Sequence, residues 1–375
     1  LHAAVDELDL GYLLAVAAAG LWSPRALTAW VHALGSPRAL VTHVRDAPGF
    51  IPPGIEKLSD TTAARLAVID DSAARAAVAA AHASGSRVVV RDDEQYPATL
   101  RDLCDAPLVL YVRGDLACLN RRTVAIVGSR AATSYGRSIA TAMAADFASF
   151  DATIVSGLAR GVDAAAHKGA IDAGVPTVAV LGSGIRALYP RYHALLADEI
   201  VAGGGAVISE FPPDECARAF QFPMRNRVVA ALAAATVVIE ASTRSGALIT
   251  ARLADELGRA VFALPGDVGR QTSKGTNALI ADGVPLVTSA DDVAALLGWE
   301  RANPVIAEEV AGSRDSLLRL LDEARCVDEL AQRCGESAAA VSAKLMLLEL
   351  QGAVERRAGG RYAAVRAGTA ANAKL

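Results

Sequence analysis

Six short segments of this 375-residue chain place serine, threonine or arginine after an apolar run, five of them with glycine as well. They are Gly128-Ser129-Arg130, Ser156-Gly157 running on through Arg160 to Asp163, and Gly182-Ser183-Gly184. Ser209-Glu210, then Glu240-Ala241-Ser242 with Ser245-Gly246, and Pro265-Gly266 leading to Ser273-Lys274-Gly275-Thr276-Asn277 complete the set. Glycine lets a ligand approach the backbone closely. Hydroxyls and the N–H groups at a helix start bind phosphate. Arg130, Arg160, Arg244 and Lys274 add charge in the same segments. One such loop carries little information, but six along one edge describe a long anion-binding crevice.

A seventh segment differs in kind. Phe220-Gln221-Phe222-Pro223-Met224-Arg225-Asn226-Arg227 holds two of the seven phenylalanines and two arginines just before an apolar helical run, Val228–Ala235. Aromatic rings that stack on bases, next to arginines that meet phosphates, are the components of a single-strand site. Arg225 and one of Phe220 or Phe222 are read as binding residues. Pro223 biases Phe222 towards an extended backbone, with its ring projecting. Arg227 reads equally well as a phosphate ligand or as an ion-pair partner of Glu240, and Asn226 reads as a cap. Other chemistries fit poorly. Gly128 is followed by Ser129-Arg130-Ala131, so the first turn lacks the dinucleotide fingerprint, and Ser273 stands where a P-loop has glycine before Lys274. No metal-spaced Cys/His cluster is present, and His167, four residues after Asp163, reads as a capping or packing residue.

Positioning six loops on one edge requires a parallel sheet. Thr123–Val127, Thr153–Val155, Thr177–Leu181, Ala206–Ser209, Thr236–Glu240, Ala260–Leu264 and Pro285–Thr288 are short apolar runs rich in valine and isoleucine, separated by helical patterns. Strands covered on both faces read this way, and ligands of such sheets bind outside the strands' carboxyl ends. Residues 83–298 are therefore an α/β, doubly wound, mostly parallel sheet, with Arg87–Val90 and Leu108–Val112 as edge strands. Residues 1–82 form a small helical domain, SAM-like or helix-hairpin-helix-like, with helix starts at Ser23-Pro24 and Ser36-Pro37 and turns at Pro48-Gly49 and Pro52-Pro53-Gly54. Helix-hairpin-helix units hold a DNA backbone, but the scarcity of lysine and arginine here favours a packing role. Residues 299–313 read as a linker. Residues 314–366 give helices at Ser316–Glu323, Val327–Cys334 and Ser337–Gln351 and a hairpin around Gly359-Gly360, the layout of a winged helix. Residues 367–375 are a tail.

With 37 Lys and Arg against 41 Asp and Glu, the formal net charge is −4, so any polyanion site has to be local. Hydrophobic residues make up 53%, enough for a large core, and aromatics only 5%, which makes any aromatic cluster informative. The five cysteines form no C-x-x-C pair and read as thiols of a reducing compartment. The apolar stretch Tyr12–Trp22 follows acidic rather than basic residues and is too short to span a bilayer, so the expected location is the cytoplasm with no membrane contact.

In order along the chain, V-A-I-V-G-S-R (124–130), Ser156–Asp163 with His167, L-G-S-G-I-R-A-L-Y-P (181–190), Ser209-Glu210, F-P-M-R-N-R-V (222–228), E-A-S-T-R-S-G-A-L-I-T (240–250) and Leu264–Ile280 resemble the DNA-processing protein A family, also called DprA or Smf. The resemblance implies an extended Rossmann-like fold and a homodimer formed through it. It also implies single-stranded DNA binding, with RecA loading during recombination and natural transformation, and no cofactor or catalytic activity. By position it makes Gly128, Ser129 and Arg130 the family's phosphate-contacting loop. Phe222, Arg225, Asn226 and Arg227 match its Phe-Pro-x-Arg-Asn-Arg segment, and Lys274 lies before its Gly-x-Asn, here ending at Asn277. Met224, His193 and Asp214-Glu215-Cys216 depart from the family pattern. The rival reading is a nucleotide-processing hydrolase of the lysine-decarboxylase-like phosphoribohydrolase type, whose P-G-G-x-G-T loop has only Thr243–Ala247 as a counterpart here.

Overall fold

The computed structural model describes residues 6–19, 24–47, 49–302, 320–321, 324–334, 337–350, 353–357 and 360–364. Most of the linker, nearly all of the first winged-helix helix, the tail, Ser23 and Pro48 lie outside the described residues. Two compact units divide the chain, Leu1–Arg301 and Ala302–Leu375.

The first unit begins with five helices: α1 (Glu7–Ala19), α2 (Pro24–Leu34), α3 (Pro37–Asp46), α4 (Asp60–Ala67) and α5 (Asp71–Ala83). Ser36, Ser59 and Asp70 cap α3, α4 and α5 by accepting bonds from the third residue onward. The antiparallel pair β1 (Arg87–Val90) and β2 (Val109–Gly114) follows. Alternating strands and helices come next: β3 (Arg122–Val127), α6 (Ser134–Asp146), β4 (Ala152–Ser156), α7 (Val162–Asp172), β5 (Thr177–Val180), α8 (Ala194–Ala202) and β6 (Ala206–Ser209). The unit ends with α9 (Gln221–Leu232), β7 (Ala235–Val238), α10 (Gly246–Glu256), β8 (Ala260–Ala263), α11 (Lys274–Ala281) and α12 (Ala290–Leu297).

One eight-stranded sheet orders these strands β1-β2-β6-β5-β4-β3-β7-β8. The six strands from β3 to β8 are parallel, and β2 joins β6 antiparallel. The seventh expected strand, Pro285–Thr288, reduces to a single parallel bridge between Leu286 and Ala263. Pro285 has no N–H to give to a ladder. From β3 the chain winds outward through β4, β5 and β6, then returns to place β7 on the other side of β3.

Alternation along each strand splits the core. Val124, Ile126 and Ile154 face Met143, Phe147 and Ala166 of α6, its C-terminal turn and α7. Ala125, Val127 and Val155 face Val228, Val229 and Ala251 of α9 and α10. A third buried cluster joins Leu14, Val78 and Ala81 of α1 and α5 to Val109, Tyr111, Leu158, Ala179 and Leu181. Within residues 1–82 the helices also have a cluster of their own, with Tyr12, Leu27, Trp30, Leu40 and Leu66 buried in it, while α1 and α5 share further buried contacts with the sheet across residue 82.

The second unit contains β9 (Arg325–Cys326), α13 (Val327–Cys334), α14 (Ala338–Leu350), β10 (Val354–Arg357) and β11 (Arg361–Ala364), with the strands ordered β10-β11-β9. Leu330, Val341, Leu345, Leu348 and Val354 form its core. Two helices and a hairpin wing match the layout expected for a winged helix.

His167 on α7 is a packing residue. It is fully buried, and its Nδ1 lies 2.7 Å from Thr177 Oγ1. That hydroxyl donates to Ile154 O at 2.9 Å, so His167 Nδ1–H is the donor and Nε2 is left unprotonated, with no partner among the described residues. Burial first, then repulsion from His193 and Arg225, lowers its pKa to about 3. In the unfolded chain the ring takes a proton near pH 6.5, while in the folded chain it does so only near 3. The stability it contributes is therefore complete above pH 6.5 and is lost as pH falls through that window. Between pH 6.5 and 5 this group should remove about 1.5 kcal/mol. Urea titrations at several pH values should show His167→Asn losing less over that interval than the wild type; parallel losses would show that the ring protonates freely when folded.

Candidate nucleic-acid interface

The point where the winding reverses lies between β3 and β7, and open parallel sheets bind ligands at that point. A pocket of about 540 Å³ opens there. It is lined by Gly128, Ser129 and Arg130 after β3, Gly157, Ala159 and Asp163 after β4, and Ser242, Arg244 and Ser245 after β7, with Phe222, Arg225 and Asn226 of α9 across them. Glu240 sets the first loop: its carboxylate accepts from Thr133 N and Oγ1 at 2.8 and 2.7 Å, and its carbonyl accepts from Ser129 N at 2.6 Å.

Arg225 makes the floor. Its side chain is only 4% exposed. Nη1 donates to Gly157 O at 2.6 Å and also to Val180 O, so one guanidinium ties the carboxyl ends of β4 and β5 to α9. Burial lowers its pKa to about 10, against the attraction of Asp163. Asp163 is equally buried, which raises its pKa, while one of its oxygens accepts from Gly157 N and Ala159 N at 3.1 and 3.4 Å. A Cβ at Gly157 would stand 2.5 Å from Arg225 Nη2, so any side chain there would push the guanidinium from its place. Arg225 therefore shapes the crevice with its hydrogen bonds committed to carbonyls, instead of extending to a phosphate as its sequence context suggested. Asn226 also has internal partners, donating to Gly246 O at 3.2 Å and accepting from Arg225 Nε at 3.3 Å.

Phe222 is not extended. It lies in the first turn of α9, where Pro223 costs no intrahelical bond because first-turn N–H groups have no partner to lose. Its ring is half-buried, and a Cβ at Gly182 would meet it at 2.8 Å. The Arg130 guanidinium lies over this ring, 4.7 Å from its centroid, and the Tyr189 ring packs at 5.7 Å. The Arg130–Phe222 stack divides the first pocket from a second of about 520 Å³. Arg160, Tyr189, Pro190, Arg191 and Tyr192 line the second, together with Gly157 and Ala159. His193 joins the two sides by donating Nδ1–H to Leu158 O at 2.8 Å. Leu158 holds a left-handed backbone, φ 55°, with its side chain fully buried. Phe220, at the helix start, lines neither pocket.

Several expected site residues turn inward. Arg227 bonds the buried Glu210 at 2.6 Å and the partly exposed Asp105 at 2.9 Å, an ion triad that replaces both the phosphate reading and the pairing with Glu240. Ser156 is buried and donates to Ile126 O. Ser183 is buried, and Gly184 is covered by the Pro212-Pro213 carbonyls, which a Cβ would strike at 2.1 and 2.3 Å. Gly182 lies beneath Phe222. Asn277 closes on the backbone of Gly266 through both amide atoms, at 3.1 and 2.9 Å. Lys274 is exposed at the start of α11, outside both pockets. Sequence reasoning missed Tyr189, Arg191 and Tyr192 as lining residues, although two of seven tyrosines within four residues of an aromatic-poor chain was a readable signal.

A family model described as DNA recombination-mediator protein A matches residues 87–298, and one described as the DprA winged helix domain matches 300–360. Protein Smf of Escherichia coli is 39% identical over 284 residues, covering 73% of this chain and 76% of its own. The crystal structure of DNA processing protein A from Streptococcus pneumoniae superposes with a TM-score of 0.64 at 33% identity, over 77% of this chain and 98% of that one. The structure of DNA processing protein A from Helicobacter pylori, described for its single-stranded DNA binding mode, gives a TM-score of 0.52 at 29% identity, over 58% of this chain and 99% of that one. With its switch-point crevice, its winged helix and these relatives, the chain belongs to the DNA-processing protein A (DprA/Smf) family of recombination mediators.

Proposed function

We propose that this protein binds single-stranded DNA in the switch-point crevice and acts as a recombination mediator that protects incoming strands and passes them to RecA, working as a homodimer in the cytoplasm. The observation that carries the reading is the set of exposed arginines, Arg130, Arg160, Arg191 and Arg244, none of which has an ion-pair partner among the described residues. They concentrate positive charge on a chain whose net charge is −4, and their setting among aromatic rings suits unpaired bases. RecA transfer and the dimer rest on family membership. No helix among the described residues is long and apolar enough to cross a membrane. The described cysteines are all free. Binding is favoured over nucleotide hydrolysis by the state of Asp163. It is the one carboxylate lining either pocket among the described residues, and it is buried and committed to two backbone amides.

Fluorescence anisotropy at two salt concentrations tests the reading. Single-stranded DNA should bind at least about tenfold tighter than duplex, with little sequence preference. Arg130→Ala should weaken binding to every sequence and flatten the log–log salt slope by about 0.7, the share of one phosphate contact on a single strand. Equal affinity for the two forms, or release of free base from nucleoside monophosphates, would overturn the proposal.

Phe222→Leu keeps most of the buried volume but removes the face that carries Arg130. A cation–π contact of about 0.5–1 kcal/mol corresponds to a loss of roughly 2- to 5-fold in affinity. The salt slope should hold, because the charge remains, and the melting temperature should change little. Wild-type binding by Phe222→Leu would show that the stack does not orient the guanidinium.

Because residues from Ala302 onward form their own compact unit, a protein ending at Arg301 should keep most of the single-strand affinity. Loss of nearly all binding by that truncate, shown to be folded by circular dichroism, would move the principal site to the winged helix.

A further inference from the structure

The second pocket has a composition the first lacks. The first is lined by backbone turns, serines and arginines around the half-buried Phe222. The second is walled by two tyrosines, of which Tyr189 is 52% exposed and Tyr192 is 64% exposed. Large aromatic rings left in water beside a concave surface are ready to receive a flat apolar face. Neither ring is spent on the core: Tyr189 makes one tilted contact with Phe222, and Tyr192 one edge contact with His193, at 4.6 Å between centroids.

Around these rings stand three cations. Arg160 and Arg191 are exposed and have no ion-pair partner among the described residues, and Arg130 lies on the shared wall. Segment 189–193 is fixed to the floor of the crevice by the bond from His193 to Leu158 O, so this aromatic wall is built into the fold. An inorganic anion would use the arginines and leave the tyrosines idle. An apolar peptide would use the tyrosines and leave three guanidiniums uncompensated. A nucleotide uses both, through one flat base and one adjoining phosphate.

We propose that the pocket bounded by Tyr189, Tyr192, Arg160 and Arg191 is a nucleobase subsite. One base of the bound strand leaves the stack of its neighbours and lies against Tyr192 or Tyr189. The adjoining phosphates run from Arg130, at the wall between the pockets, to Arg160 and Arg191. This deepens the single-strand reading and rests on it. Because every base has a π-face, the subsite accepts any base and adds affinity without sequence preference. It also adds selectivity for unpaired strands, since a paired base cannot enter.

The test uses the full chain and short oligothymidylates carrying one 2-aminopurine, moved through successive positions, with a matching series carrying one abasic site. In the wild type, 2-aminopurine fluorescence should quench at one register on binding, and the abasic substitution should weaken binding most at that same register. Tyr192→Ala and Tyr189→Ala remove exposed rings, so both should fold and melt as the wild type does. At least one should bind about fivefold or more weakly, lose the quench and become indifferent to the abasic site. The corresponding Tyr→Phe variants should restore all three. Quenching and abasic sensitivity that persist in both alanine variants would overturn the subsite while leaving single-strand binding intact. A fall in affinity with undiminished abasic sensitivity would also overturn it, since the rings would then act without touching a base. If the wild type binds no single-stranded DNA, the functional reading itself fails, and the subsite with it.

Discussion

One buried guanidinium holds the crevice together. Arg225 would lose far more on desolvation than any single hydrogen bond returns, so it is sustained by two carbonyls and the nearby charge of Asp163. In return it binds the ends of two adjacent parallel strands to the helix that crosses them. Three residues earlier on the same helix face, Phe222 is thereby held over Gly182, and the ring in turn carries Arg130. The exposed charge is thus positioned through a chain of contacts that starts at a group with almost no access to solvent.

The choice of partners for the arginines is informative. Arg227 and Arg186 are neutralised by carboxylates, Glu210 with Asp105 and Asp214 respectively. Arg130 is steadied by an arene and has no ion-pair partner among the described residues. A ring restrains a guanidinium without competing for its ligand, whereas a carboxylate would have to be displaced first. The same economy runs through the floor, where Asp163 satisfies two amides of a turn that includes a left-handed leucine. Strained backbone of that kind persists only where its surroundings hold it.

The sheet was legible because doubly covered parallel strands leave a strong signature of short valine-rich runs. Six of the seven runs became strands, and the one containing proline did not. The loop-bearing edge was legible because topology alone sends every βα loop to it. What sequence could not convey was which polar residues on that edge face outward. Ser156, Ser183 and Asn277 have the right chemistry and the right address, but each spends its hydrogen bonds on a neighbouring backbone. Arg225 and Arg227 sit two residues apart on a helix with buried sides, and no local pattern reveals that both turn inward. Phe222 was read from the bias that proline imposes on its predecessor, and the first turn of a helix relaxes the main cost. Tyr189 and Tyr192 were passed over because they follow no strand directly.

Leu158 has a further consequence. Its backbone belongs to the crevice, between Gly157 and Ala159, but its side chain is buried in the same cluster as Leu14 of α1 and Val78 and Ala81 of α5. The stretch recognisable across the family starts at residue 87. A protein cut at that point would leave Val109, Tyr111, Leu158 and Leu181 open to water on one face of the sheet. The length of chain that the family model matches and the length that can bury its own apolar surface are therefore different, and a loop of the crevice lies on the seam between them.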